Sequence, residues 1–170
     1  MQKLRAALGS MVFFALAPGV VAGLIPWWLT GWKAAALPAW WLPLRAAGAV
    51  LLLAGAGVLV HAFARFVVEG LGTPAPVAPT RELVVGGLYR YVRNPMYLAV
   101  LAAIVGQALL LGRPVLLAWA VVVAAAFVAF VRGYEEPTLA DQFGERYQTY
   151  RAAVPGWWPR RHPWREPRRP

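Results

Sequence analysis

Residues 94–136 read Asn94-Pro95-Met96-Tyr97-LAVLAAIVGQALLL-Gly112-Arg113-Pro114-VLLAWAVVVAAAFVAFV-Arg132-Gly133-Tyr134-Glu135-Glu136. Two apolar runs, Pro95–Leu111 and Pro114–Val131, flank a single Gly-Arg turn. At about 1.5 Å of rise per residue each is roughly 25–27 Å long, enough to span a bilayer core with little tilt. So short a connection makes the pair an antiparallel helical hairpin. Folding it at Arg113 sets residue 94 opposite about residue 132. Asn94, Arg132, Glu135 and Glu136 are therefore expected to meet at one membrane rim.

Two further apolar stretches precede the hairpin, from about Met11 to Leu29 and from about Leu44 to Val68. Pro18 and Pro26 predict a kink in the first of them. Of the 170 residues 60% are hydrophobic and 14% charged, and the mean hydropathy is +0.54. A soluble domain is nearer half apolar and a quarter charged. These features predict one all-α integral membrane domain over residues 1–170, with about four transmembrane helices (11–29, 44–68, 95–111 and 114–131). A signal-peptide reading of the first run, with Lys3 and Arg5 as its basic start, is outweighed by its continuation to Trp27-Trp28 and by the three later spans.

Residues 70–94 contain Pro74, Pro76 and Pro79 and are too broken to span. They read as a cytoplasmic loop, and 132–170 as a cytoplasmic tail. In that tail Leu139, Phe143, Tyr147 and Tyr150 recur at helical spacing, with Asp141, Glu145, Arg146 and Arg151 between them. This predicts an amphipathic helix on the inner face. Beyond Pro155 the Pro/Arg/Trp-rich end is expected to be extended and headgroup-associated.

With the N-terminus inside, the outer loops hold only Lys33, Arg45 and Arg113 of the 17 Lys and Arg residues. Trp27, Trp28, Trp32, Trp40 and Trp41 cluster around the first outer loop as an interfacial belt. Both termini are expected to be cytoplasmic. The Ala, Arg, Gly and Pro abundance suits a GC-rich bacterial genome, and hence an inner membrane. The net charge of +10 flanks apolar runs and fills the tail, which fits lipid headgroups; no nucleic-acid motif accompanies it. The absence of cysteine excludes disulfides and thiolate sites, and His61 and His162 are too far apart for a His-rich metal centre.

Asn94-Pro95 is a helix-start signal: Asn caps free amides, and Pro fits the first helical position. Exposed amides and the positive end of the helix dipole can hold an anionic group there, with Arg90 and Arg93 adding charge. Glu135 and Glu136 suit a ribose diol or an ammonium group. The plainer reading of both features is a basic flank with an ordinary cap, and carboxylates that neutralise arginines. His61, Arg65 and Glu69 lie at i, i+4 and i+8, with His61 about 10 Å deeper, and are expected to face the bundle interior. Gln107, about 20 Å along its helix from Asn94, is expected to make an interhelical hydrogen bond.

The segment G-L-Y-R-Y-V-R-N-P-M-Y over Gly87–Tyr97, a helical hairpin, E-E-P-T-L-A-D-Q-F-G-E-R-Y-Q-T-Y from Glu135, and V-P-G-W-W-P from Val154 together resemble the isoprenylcysteine carboxyl methyltransferase family. That family sits in a wider group of membrane methyltransferases that includes the phospholipid methyltransferases. The resemblance covers about Gly70 to Pro159. It implies S-adenosylmethionine bound at the cytoplasmic side, touching Arg93, Asn94, Pro95, Tyr97, Glu135, Glu136 and Tyr147. It further implies methyl transfer, carboxyl O-methylation being the family type, to a lipophilic acceptor such as a lipidated cysteine, another lipid or a thiol. Arg132 would orient an acceptor carboxylate, or Glu136 would accept a proton. One departure is Asn94, where the carboxyl methyltransferases usually carry His. A similar motif occurs in sterol reductases, which bind a nicotinamide cofactor but are considerably longer. A non-catalytic membrane interaction or lipid-binding module is the other alternative.

Overall fold

A computed structural model describes residues 18–69 and 82–166 of the chain. All regular structure among them is helical. A π-helical turn, Val20–Leu24, leads into α1 (Ile25–Thr30), and a 3-10 turn, Ala39–Trp41, leads into α2 (Leu42–Glu69). After a second 3-10 turn, Gly87–Arg90, come α3 (Pro95–Leu111) and α4 (Pro114–Phe130). A π-helical turn, Val131–Glu135, carries α4 without a break into α5 (Glu136–Ala153). The bounds of α3 are those read from the sequence, and α2 and α4 agree within two residues. Residues 11–17 of the first apolar run and the proline-rich stretch to residue 81 lie outside the described residues.

Two helical stretches are long and apolar enough to cross a membrane, Ala39–Ala62 with 24 residues and Pro114–Ala153 with 40; Val20–Thr30 and Pro95–Leu111 are apolar but shorter. The longer stretch is broken at Gly144; its first 30 residues, to Phe143, measure about 45 Å, more than a hydrocarbon core, so its polar second half extends past its apolar part.

The most extensive helix contact joins α2 and α3. Gly48 and Gly55, seven residues apart, share one face of α2. A Cβ placed on Gly48 would lie 2.7 Å from the Gly106 carbonyl oxygen, and one on Gly55 would lie 2.7 Å from that of Ala99. From the other side, a Cβ on Gly106 would meet the Gly48 carbonyl oxygen and the Leu52 nitrogen, each at 2.7 Å. The two backbones touch because small residues line the seam, which is how apolar helices associate where no hydrophobic force separates them from lipid. Val50, Leu53 and Val60 on α2, and Leu117, Val121 and Val122 on α4, are left exposed as an apolar exterior.

Before Pro26, where a kink is expected, the chain forms the π-helical turn Val20–Leu24 and stays helical on both flanks. Pro26 has no N–H to offer the preceding turn, and the carbonyls this frees find side-chain donors on other helices. Gln107 donates to the Ala22 carbonyl (2.7 Å) and Trp119 to that of Val21 (2.9 Å). Gln107 also accepts from the Trp32 indole N–H at 3.2 Å, so it is the interhelical donor expected of it. The loop after α1 is stitched to the far end of the hairpin. Ala35 N–H donates to Leu111 O (2.8 Å), and Trp41 Nε1 to Leu109 O (3.0 Å). Gly112 takes a left-handed φ of 64° there, and any Cβ on it would collide with Leu37 Cδ1.

His61 is a correction. Its side chain is exposed on α2 and does not face the bundle interior, because the glycine face of the helix is the one that packs. The side chains of Arg65 and Glu69 lie outside the described residues.

Replacing Gly106 by Ala should destabilise the protein by about 1–3 kcal/mol, the usual range for overpacking. Gly57 has nothing within 4 Å of an added Cβ. Gly57→Ala should therefore be neutral or gain up to about 1 kcal/mol from helix propensity. Thermal unfolding of both variants in detergent gives the comparison; equal effects would show that the α2–α3 seam is not backbone contact.

Candidate active site

The segment before α3 is enclosed by the tail. Arg93 N–H donates to Pro155 O (2.9 Å), Asn94 N–H to Gly156 O (3.2 Å), Arg160 N–H to Tyr91 O (2.9 Å) and Trp164 N–H to Arg90 O (2.9 Å). Arg90 Nε closes the last pair by donating to Trp164 O at 2.8 Å. Below this ladder Leu83, Tyr147, Tyr150, Val154 and Trp164 form a buried cluster, with Leu139 and Phe143 packed against it. Leu139 and Phe143 before Gly144, and Tyr147 and Tyr150 after it, thus pack into one cluster against protein residues although the break at Gly144 divides the helix expected to carry them. Tyr150 Oη donates to the Tyr89 carbonyl at 2.6 Å. The tail beyond Pro155, expected to be extended and headgroup-associated, has no helix or strand to residue 166; it bends at residues 156–158 and 161–162 and docks on residues 90–94 with Trp164 buried.

Arg93 joins the three segments. Nε donates to Val154 O (2.9 Å), and Nη1 donates to Glu136 Oε1 (2.8 Å) and to Tyr147 Oη (3.1 Å). Glu136 also takes Arg151 Nη2 on its other oxygen at 2.9 Å. Glu135, one residue earlier, is served differently: Tyr97 Oη donates to its Oε2 at 2.8 Å. The Tyr97 ring lies 4.6 Å from Phe127 and 6.3 Å from Trp157, centroid to centroid. A carboxylate with an aromatic group beside it suits a cation.

Two expectations need correction. Asn94 occupies the N-cap position and Pro95 the first turn, but the Asn94 side chain makes no capping bond. Its amide nitrogen is instead buried beside Gly156, without a hydrogen-bond partner among the described residues. Arg132 does not join the cluster. It is exposed and makes no ion pair with a described residue, because the π-helical turn buries Val131 and turns its neighbour outward. The hairpin register is otherwise as derived, bringing Arg93 and Tyr97 to Glu136 and Glu135.

Burial pushes the Glu135 carboxyl above the usual carboxylate range; the Tyr97 hydrogen bond opposes this, the adjacent Glu136 adds to it, and Arg93 opposes it. Burial also raises the Tyr89, Tyr147 and Tyr150 phenols, so all three stay neutral at physiological pH. Arg93 thus meets one carboxylate and one neutral phenol, with a second carboxyl close by.

Arg151 and the carbonyls of residues 154–156 were not legible as site members from spacing. Backbone acceptors carry no sequence signature, and Gly144 interrupts the helical register that would have placed Arg151. Gly144 has φ 53° and ψ −130°, a conformation L side chains rarely adopt.

Residues 44–146 match the family model described as phospholipid methyltransferase, well over half of the chain. This lies inside the wider group to which the motif resemblance pointed. No curated protein and no solved structure matches the chain.

Arg93→Lys keeps the charge but loses the planar fork that serves three acceptors at once. It should cost about 1–3 kcal/mol, by loss of hydrogen bonds that include one to a charged partner. Chymotryptic release of the tail should accelerate with it. Arg151→Ala, at a half-exposed ion pair, should cost less than about 1 kcal/mol. Thermal unfolding in detergent ranks the two, and the reverse order would displace Arg93 from its central role.

Proposed function

The chain belongs to the phospholipid methyltransferase family, and on that premise we propose that it transfers a methyl group from S-adenosylmethionine to a lipid whose headgroup carries an amine. The bundle is read as crossing the membrane four times, the shorter apolar helices Val20–Thr30 and Pro95–Leu111 completing the two longer ones. The site then lies at the cytoplasmic rim of a bacterial inner membrane, with both termini on that side, as the distribution of Lys and Arg requires.

The observation that carries the reading is the buried, unpartnered Asn94 amide beside Gly156, next in the chain to the Arg93 that holds Glu136. A buried donor without an acceptor costs about 1–3 kcal/mol, so its persistence calls for an acceptor on a ligand. A Cβ on Gly156 would approach Arg93 Nη2 to 3.2 Å and Asn94 Nδ2 to 3.4 Å, so the absence of a side chain keeps this corner open. The set fits the cofactor's polar groups: Asn94 for a carboxylate or ring nitrogen, and the Tyr97–Phe127–Trp157 rings for a sulfonium. When bound, S-adenosylmethionine supplies an electrophilic methyl carbon. The protein aligns the acceptor with it and excludes water. Arg93, Pro95 and Tyr147 hold the framework, and Arg132 faces out, where it can meet a headgroup phosphate.

An amine acceptor is favoured over a carboxylate because Glu135, which takes a phenol and, among the described residues, no guanidinium, would repel an anion brought beside it, whereas Glu136 is already neutralised by Arg93 and Arg151. The family match favours methyl transfer over nicotinamide chemistry in the same way.

Purified protein in detergent should bind S-adenosylhomocysteine, and Asn94→Ala should weaken that binding by about 1–3 kcal/mol. No binding at millimolar ligand would sink the reading. With labelled S-adenosylmethionine, phosphatidylethanolamine in nanodiscs should take up the methyl group and an S-farnesylcysteine analogue should not. The opposite preference would return the chain to carboxyl methylation.

A further inference from the structure

The two adjacent glutamates are unlike each other, and the difference divides their labour. We propose that Glu135 takes the proton released as the acceptor amine is methylated, while Glu136 is a positioning residue that fixes Arg93 and the tail. This rests on the methyltransferase reading above and assigns a role within it.

Glu136 has no oxygen to spare. Oε1 pairs with Arg93 at 2.8 Å and Oε2 with Arg151 at 2.9 Å, so protonating it would break two ion pairs and release the guanidinium that holds Val154. Glu135 accepts one hydrogen bond, from Tyr97 on Oε2, and its other oxygen accepts none from a described residue. Its partner Tyr97 lies against Phe127, which packs on the apolar core of the bundle. An acceptor amine brought to that aromatic side would meet the free oxygen of Glu135. Four groups bear on the carboxyl: Tyr97 from α3, Tyr89 from the 3-10 turn, Arg93 from the segment before α3, and Glu136 from α5. Burial is the largest influence and favours the protonated form, which brings proton uptake closer to neutrality.

The step balances without a further reactant. The headgroup arrives as an ammonium and gives one proton to the free oxygen of Glu135, which leaves a lone pair on nitrogen. That lone pair forms the N–C bond as the C–S bond breaks with its electron pair left on sulfur, which becomes a neutral thioether. The product leaves as a methylammonium, and Glu135 returns its proton to solvent.

The test uses the full chain in nanodiscs containing phosphatidylethanolamine. Glu135→Gln should bind S-adenosylhomocysteine as the native protein does, yet lose roughly 10²–10⁴-fold in kcat, the usual contribution of a general base. In the native protein kcat should fall as pH drops through the raised Glu135 range, and Glu135→Gln should lack this acidic limb. Infrared titration of the ligand-free protein should show a carboxyl band protonating above the ordinary carboxylate range, absent from Glu135→Gln. Glu136→Gln should loosen the tail to chymotrypsin while its residual activity keeps the limb. Native-like kcat and pH profile in Glu135→Gln, or loss of S-adenosylhomocysteine binding in that variant, would overturn the assignment. If the native protein itself binds no S-adenosylhomocysteine, the methyltransferase reading fails first and this role falls with it.

Discussion

The Arg93 guanidinium reaches three parts of the chain at once: the Val154 carbonyl, the Glu136 carboxylate and the Tyr147 phenol. The residue sits one position before the cap of α3, so these bonds tie a helix start to α5 and to the tail. A planar group with five donors can do this, where an ammonium would have to choose among acceptors. Both members of the ion pair are largely withdrawn from solvent, at 14% and 13% side-chain exposure, so the interaction is screened less than a surface pair. The ladder between residues 90–94 and 155–164 and the cluster around Tyr147 and Tyr150 flank the same point.

Arg93 is useful only because α3 is held rigidly behind it. The helix is pressed backbone to backbone against α2 through Gly48, Gly55 and Gly106. Through Gln107 it satisfies a carbonyl that Pro26 leaves free near the other end of the bundle. The polar groups at the start of α3 therefore project from a scaffold with little freedom, which a site for an in-line displacement requires. Chemistry and scaffold are separated along one helix: small and apolar residues face α2, and Arg93, Asn94 and Tyr97 gather at its start.

The family match ends at residue 146, before Tyr147, Arg151 and the carbonyls of residues 154–156 that complete the site. The matched part holds nearly all of α2, the whole of α3 and α4, the helix start and the glutamates. Residues 147–164 form the cover that closes over them, beyond the break at Gly144.

Hydropathy and spacing alone determined the helices, since a 17-residue apolar run bounded by Asn94-Pro95 and Gly112 has few other outcomes. The same reasoning determined that residues near 94 meet those near 135, because a Gly-Arg turn permits only a hairpin. It misjudged Arg132, His61 and the Asn94 side chain, whose directions depend on a π-helical turn, on which face of α2 packs, and on what covers the cap. Those are properties of contacts between segments distant in the chain, and local pattern does not encode them. The difference between Glu135 and Glu136 is of this kind. Adjacent and identical in sequence, they were separated in role only by tertiary structure, which gave one of them two arginines and the other a tyrosine in a buried aromatic corner.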